Sequence, residues 1–296
     1  MRKNLTAADF LTLLIILLLA VITLTGVTSF QTDSSYVISN QYEQDVRIFG
    51  SGIYAHDSYF KAPILIGSDL AMLLFAVPAL IIALIRKVRR ADIPSKLFHT
   101  ATLAAVLYYA ASLAFGVVYN AYHLLYIALF ACSLFAFIAS VRALDLYSLK
   151  EAQSRKLPSK GLGAFLILSG IALFVAWLPD IIPTIINGTP LPLIEVYTTE
   201  VTYVLDMGII SPAMFICLYL LKKGDRLGEV ILASMLTLCV LMGAMLPIQT
   251  IYQTLAGIET PVPVLVTKIG VFVVLAAFAA SFNVKLYRGL SAQSRK

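Results

Sequence analysis

The chain has 296 residues, of which 60% are apolar and only 13% charged, with a mean hydropathy of +0.89 and a net charge of +6. A soluble domain uses about 25% charged residues to cover its surface, so this composition excludes one. The excess positive charge lies in short segments between apolar blocks, which argues against nucleic acid as its partner.

A helix needs about 20 apolar residues to cross the hydrocarbon core of a bilayer, and eight blocks of roughly that length follow one another. The first covers 10–30 behind a basic start. Val27 and Ser29 stand where a signal peptidase would accept them, but the apolar run exceeds a usual signal core, so it reads as an uncleaved first helix. A polar connection, 31–62, comes next, with four tyrosines and one histidine. It is long for a structureless loop, and is either a folded lid or mobile.

The second block is 63–85. The next apolar run, 97–141, is far too long for one crossing. It divides into 97–119 and 121–141 around Tyr119-Asn120-Ala121-Tyr122-His123, the only polar string available for a turn. The connection 142–161 is expected to begin as a helical extension before Pro158. The fifth block, 162–179, leads into a second long connection, 180–198, whose Pro183, Asn187-Gly188, Pro190 and Pro192 resist regular structure. Blocks 199–221, 230–251 and 262–284 complete the set. The expected fold is an all-α membrane protein, 1–296 forming a single transmembrane domain.

With an even number of spans and the N-terminus in the cytoplasm, 19 of the 22 lysines and arginines fall on the cytoplasmic side. Arg47 and Lys61 lie outside, and Lys268 falls within a span. This segregation predicts a multi-pass protein of a plasma or inner membrane with both termini cytoplasmic, its basic face against anionic inner-leaflet lipids. Cys132, Cys217 and Cys239 all fall in spans, which leaves no disulfide framework and no zinc spacing.

The pattern of loops repeats. A long outer connection follows spans one and five, and each leads into a span with an aspartate near its outer end and Pro-Ala further down. Asp69 and Pro78-Ala79-Leu80 in span two correspond to Asp206 and Pro212-Ala213-Met214 in span six, with three residues' difference in spacing. Two parallel four-helix repeats, 1–150 and 151–296, would produce this. The segments GSDL with its following proline, YNAYHLLYIALFACSLFAF and NGTPLPLIEVYTTEVTYVLDMGIISPAMF, within 63–256, resemble a family of uncharacterised bacterial polytopic integral membrane proteins. The resemblance implies a bacterial inner-membrane protein and no particular activity.

Three charges within spans are the sharpest functional candidates: Asp69, Asp206 and Lys268. Each lies six or seven residues below the outer boundary, roughly 9–11 Å, so all three can share one cluster. Ionised groups at that depth cost several kcal/mol unless paired or hydrated, and so face the bundle interior. Tyr203 lies on the face of span six that carries Asp206. These four residues are the candidate ligand-binding set. The alternative is a buried ion pair that fixes packing, or a lysine snorkelling to the headgroups. Tyr119, Tyr122, Tyr126 and Trp177 read as an interfacial aromatic belt. His56-Asp57 with Glu43 and Asp45 lack recognisable ligand spacing, and no metal or cofactor is expected.

No nucleophile elbow, HExxH, P-loop or dinucleotide fingerprint is present, and no catalytic residue is assigned. The leading functional expectation is transport or binding of a small molecule or lipid headgroup, zwitterionic to suit the mixed charge, through an outward-facing polar pocket. A scaffold or sensor subunit that binds a partner through its outer loops is the alternative. An intramembrane enzyme using Asp69 and Asp206 ranks last.

Overall fold

A computed structural model of the chain describes residues 5–144, 159–259 and 261–293, so the helical extension expected before Pro158 lies outside the described residues. Eight helices are long and apolar enough to cross a membrane: α1 Ala7–Thr28, α2 Lys61–Arg90, α3 Ile93–Gly116, α4 His123–Arg142, α5 Lys160–Asn187, α6 Val201–Lys223, α7 Leu227–Leu255 and α8 Leu265–Ser291. Each predicted block falls on one of them. Leu17, Phe75, Leu124, Val175 and Ile186 are all exposed on the bundle's flank. In water such a surface would aggregate; in hydrocarbon it costs nothing.

Local chemistry sets the helix ends. Thr6 caps α1 through a reciprocal pair, its hydroxyl accepting from Asp9 N–H while Asp9 Oδ2 accepts from Thr6 N–H at 2.8 Å. Asp92 Oδ1 accepts from Ser95 N–H at 2.9 Å and caps α3, with Pro94 in the first turn. The tight hairpin between α3 and α4 closes on Asn120, whose Oδ1 accepts from Tyr122 N–H at 2.8 Å. The expected loop 180–198 needs correction at its start. The α5 helix runs on through Pro179 and Pro183 to Asn187 and stops at Gly188, in a left-handed conformation with φ 64°. Two prolines one turn apart each delete a backbone bond, but Ile181, Ile182, Ile185 and Ile186 keep the segment apolar, and the helix continues.

The helices pack as two closed rings of four. In the first, α1 touches α2, α2 touches α3, α3 touches α4 and α4 returns to α1; α5 to α8 do the same in the same order. The rings meet through α3 on α7, α2 on α7 and α3 on α6. Accordingly α3 is the most buried span, with α2 and α7 next. At the basic end of the bundle Lys87 pairs with Asp9 at 2.7 Å, joining α2 to α1. His99 of α3 lies 2.9 Å from Thr12 Oγ1 and 3.3 Å from Ser140 Oγ, tying α3 to α1 and α4.

Three of the helices contain a wider, π-type turn: Met72–Ala76 in α2, Asp206–Ile210 in α6 and Leu265–Gly270 in α8. In α2 Val77 N–H bonds Met72 C=O, and in α6 Ser211 N–H bonds Asp206 C=O, each reaching five residues back. The next residue is Pro78 or Pro212. A proline ring clashes with the carbonyl four residues before it, and a widened turn moves that carbonyl aside.

The connection between α1 and α2 is folded. Strands β1 Tyr36–Ser39 and β2 Asp45–Ile48 form an antiparallel hairpin, with Tyr36 opposite Ile48. A 3-10 turn, Gly52–Tyr54, follows. Phe49, Ile53, Tyr54 and Tyr59 bury themselves against Ala62 and Ile66 of α2, with Phe30 and Tyr252 alongside. This is a lid with its own small core, seated on the end of the bundle opposite the basic one.

Candidate functional site

Asp69 and Asp206 are 0% and 1% exposed. Asp69 lies about two turns into α2. Its Oδ2 accepts from Tyr54 O–H at 2.8 Å, and its Oδ1 from Tyr109 O–H of α3. Tyr54 belongs to the lid, so a lid side chain reaches into the helical bundle to hold this carboxyl group. On its third side α1 approaches so closely that only glycine fits. A Cβ on Gly26 would stand 1.6 Å from Asp69 Oδ2.

Asp206 has a separate set of partners. Its Oδ1 accepts from Tyr108 O–H at 2.7 Å, and its Oδ2 from Trp177 Nε1–H at 2.9 Å. An indole N–H can only donate, so the direction of that bond is certain. Adjacent residues on a helix point about 100° apart. The Tyr108-Tyr109 doublet on the central helix therefore serves a different carboxyl group with each ring. Tyr203 does not bond Asp206. It donates to Asp180 Oδ2 at 2.8 Å and stacks on Trp177, centroids 4.6 Å apart, so it braces the ring that holds Asp206. The backbone of Lys268 lies in the π-type turn of α8, while its side chain lies outside the described structure.

Among the described residues Asp69 and Asp206 thus share no partner, and the donors they accept from are neutral hydroxyl and indole groups. Neither has an ion-pair partner among the described residues. None of the donors Tyr54, Tyr108, Tyr109 and Trp177 is singled out by the sequence as a partner of these aspartates. Trp177, read from the sequence as part of an aromatic belt, also donates to Asp206. The tyrosine doublet in the interior of a span was the available signal for Tyr108. Nothing in the sequence signals the reach of Tyr54, because it depends on how the lid folds.

Over these groups the two connections at the lid end are stitched together. Asn40 Nδ2 donates to Glu195 C=O at 2.9 Å and Gln41 Nε2 to Tyr197 C=O at 3.2 Å. Ser58 O–H donates to the Glu195 carboxylate, and Lys61 pairs with Glu200 while lying 4.1 Å from the centroid of the Tyr197 ring. Asp57 is fully buried at the centre of this seam. Its Oδ1 accepts from Tyr197 O–H at 2.9 Å and from Val118 N–H at 3.1 Å, and its Oδ2 has no partner. Burial pushes the Asp57 carboxyl up to about 7 against these hydrogen bonds, and raises the Glu195 carboxyl as well. Asp57 therefore faces into the seam, away from a surface cluster with His56. Among the described residues no three histidine, cysteine or acidic groups converge to hold a metal ion.

No family model, curated protein or solved structure matches the chain. What the molecule does has to be argued from the carboxyl groups and the lid.

Proposed function

We propose that the chain is a multi-pass protein of a bacterial inner membrane that binds and moves a small cationic or zwitterionic molecule or lipid headgroup. The lid faces outward, the termini and the basic end face the cytoplasm, and Asp69 and Asp206 supply the negative charge. The observation that carries this reading is the bond from Tyr54 to Asp69. Withdrawing the lid removes a hydrogen-bond donor from a carboxyl group buried in the bundle and uncovers it in the same motion. A carboxylate stripped of a donor at that depth has strong reason to take a cation or a proton instead. Asp206, Tyr203 and Lys268, all of the second ring, are the further members of the proposed set. The matching order of contacts in the two rings, with a π-type turn before a proline in both α2 and α6, supports a parallel repeat with the site near its interface.

The dense seam between the two connections also suits the rival reading, a scaffold or sensor whose lid end is a rigid docking surface. The enzyme reading has less support, because among the described residues the two carboxyl groups are held by separate sets of donors.

Cysteine access separates transport from scaffold. Ile66 is completely buried under the lid. In a background with Cys132, Cys217 and Cys239 replaced by alanine, Ile66→Cys should react with an impermeant maleimide applied from the lid side as the lid opens. A disulfide between Ser58→Cys and Glu195→Cys should stop the reaction, and a reductant should restore it. If Ile66→Cys stays unreactive without the tether, the lid is static and the scaffold reading stands.

A further inference from the structure

At the opposite end of the bundle, an open crevice of about 620 Å³ lies between α8 and the neighbouring α2, α3 and α7. Arg86 of α2 and Arg288 of α8 line it, together with Asn283 and Tyr287, and no acidic residue does among the described residues. Phe98 and Val240 form its apolar wall. Three polar atoms inside are buried without a hydrogen-bond partner: Arg86 Nε, Tyr287 Oη and Asn283 Oδ1. The Asn283 amide is itself anchored, since its Nδ2 donates to Thr237 Oγ1 at 3.2 Å. The Arg86 guanidinium lies 5.8 Å from the centroid of the Phe98 ring, and Tyr287 packs edge-on to that same ring at 5.7 Å. The donors are therefore held in place by packing.

Buried polar groups are nearly always satisfied, and three orphans in one crevice call for a shared partner. The unpaired Arg86 N–H and Tyr287 O–H are donors, and with a second guanidinium, Arg288, at the crevice and no acid in its described lining they favour an anion. Guanidinium is the cation best matched to the oxygens of a phosphate. The Asn283 oxygen is an acceptor, which a hydroxyl or amine on the ligand would satisfy. The exposed Val284 at the rim opens the crevice to the flank of the bundle, where acyl chains would lie. We infer that this crevice binds a phosphate ester bearing a hydroxyl or amine, a chemistry shared by anionic phospholipid headgroups and soluble phosphates. The inference does not depend on the proposed function at the lid end.

The test is thermal stability of the full chain in neutral detergent, titrated separately with phosphatidylglycerol, phosphatidylcholine and inorganic phosphate. Phosphatidylglycerol should raise the melting temperature in a saturable way and phosphatidylcholine much less. Stabilisation by inorganic phosphate as well would identify a soluble phosphate as sufficient, and its absence would identify the lipid. Either Arg86→Gln or Tyr287→Phe should weaken the apparent affinity about tenfold or more, the size expected for one charge-assisted or buried hydrogen bond. Arg89→Gln/Arg90→Gln, at the same end but outside the crevice, should leave it unchanged. Equal losses in the control pair, or none in Arg86→Gln and Tyr287→Phe, would reduce the effect to general surface charge and overturn the site.

Discussion

Asp57 makes the lid seam sensitive to pH, and the sign can be worked out. In the unfolded chain its carboxyl ionises near 3.8; in the folded protein it does so only near 7. Below 3.8 both states hold the proton and Asp57 has no effect on stability. Between 3.8 and 7 the unfolded state sheds the proton and the folded state keeps it, so stability falls as pH rises. The full shift of about three units corresponds to about 4 kcal/mol, reached above pH 7. Lys61, already paired with Glu200, is the cation that faces this group, and it opposes the shift without cancelling it. Glu195, beside Ser58, is shifted in the same direction and adds to the slope. Asp57→Asn keeps an oxygen for Tyr197 O–H and Val118 N–H and removes the ionisation. The assay is amide exchange of the hairpin 36–48 between pH 4.5 and 7.5, corrected for intrinsic rates. Wild-type protection should decline across the window, and Asp57→Asn should be flatter and at least as protected at pH 7.5. A wild-type lid that gains protection with rising pH, or an asparagine variant with an unchanged slope, would refute the reasoning.

Two further predictions follow from the packing and the charge pattern. Gly26→Ala places a methyl group 1.6 Å from Asp69 Oδ2, so α1 must move away or the carboxyl must rotate off Tyr54. Either costs on the order of 1–3 kcal/mol, as overpacking does, and the melting temperature should fall while Gly188→Ala, in open space but at positive φ, falls less. For orientation, thiols introduced at the exposed Glu43 and Thr189 should react with an impermeant reagent added to intact cells, and one at Ser159 should not. Labelling of Ser159 alone would reverse the assignment of the lid to the outside.

The eight helices long and apolar enough to cross a membrane were legible because such a helix is announced by the composition of some 20 consecutive residues, and tertiary context hardly alters that signal. The hairpin at Asn120 was legible for a related reason: a run of 45 apolar residues has only one polar place to turn. The continuation of α5 past Pro179 and Pro183 was not, since proline predicts a break from local sterics and says nothing of the apolar stretch that carries the helix on. Inside the bundle, depth could be read from residue counts, and both aspartates do lie buried near the lid end. Their partners could not, because which neighbour a side chain meets depends on helix rotation and crossing, quantities that leave no trace at one position. The lid was harder still. Its hairpin has only four residues per strand, and what places Tyr54 against Asp69 is a small core assembled from Phe30, Phe49, Tyr59, Ile66 and Tyr252, spread over more than 200 residues of chain.

The proposed repeat gains its best support from the two prolines, and they also show what the halves do not share. In both α2 and α6 the residue before the proline closes a five-residue backbone bond, so the widened turn holds the same register to Pro78 as to Pro212. The widened turn relieves the ring clash in both helices, yet proline alone does not dictate it, since α5 carries Pro179 and Pro183 in regular helix and α8 has such a turn with no proline after it. The carboxyl groups do not keep that register. Asp69 lies nine residues before its proline and Asp206 six before its own, which puts them one turn apart relative to the common device. Each then meets what its own level offers: Asp69 meets the lid through Tyr54, and Asp206 meets α5 through Trp177. Under the proposed repeat, the rings share a backbone scaffold while the two carboxyl groups have distinct settings. Among the described residues only Asp69 is bonded directly by the lid, so lid opening acts first on the first ring, and Asp206 can respond through α3, where Tyr108 and Tyr109 adjoin, or through the connection that Lys61 and Glu200 tie to the start of α6.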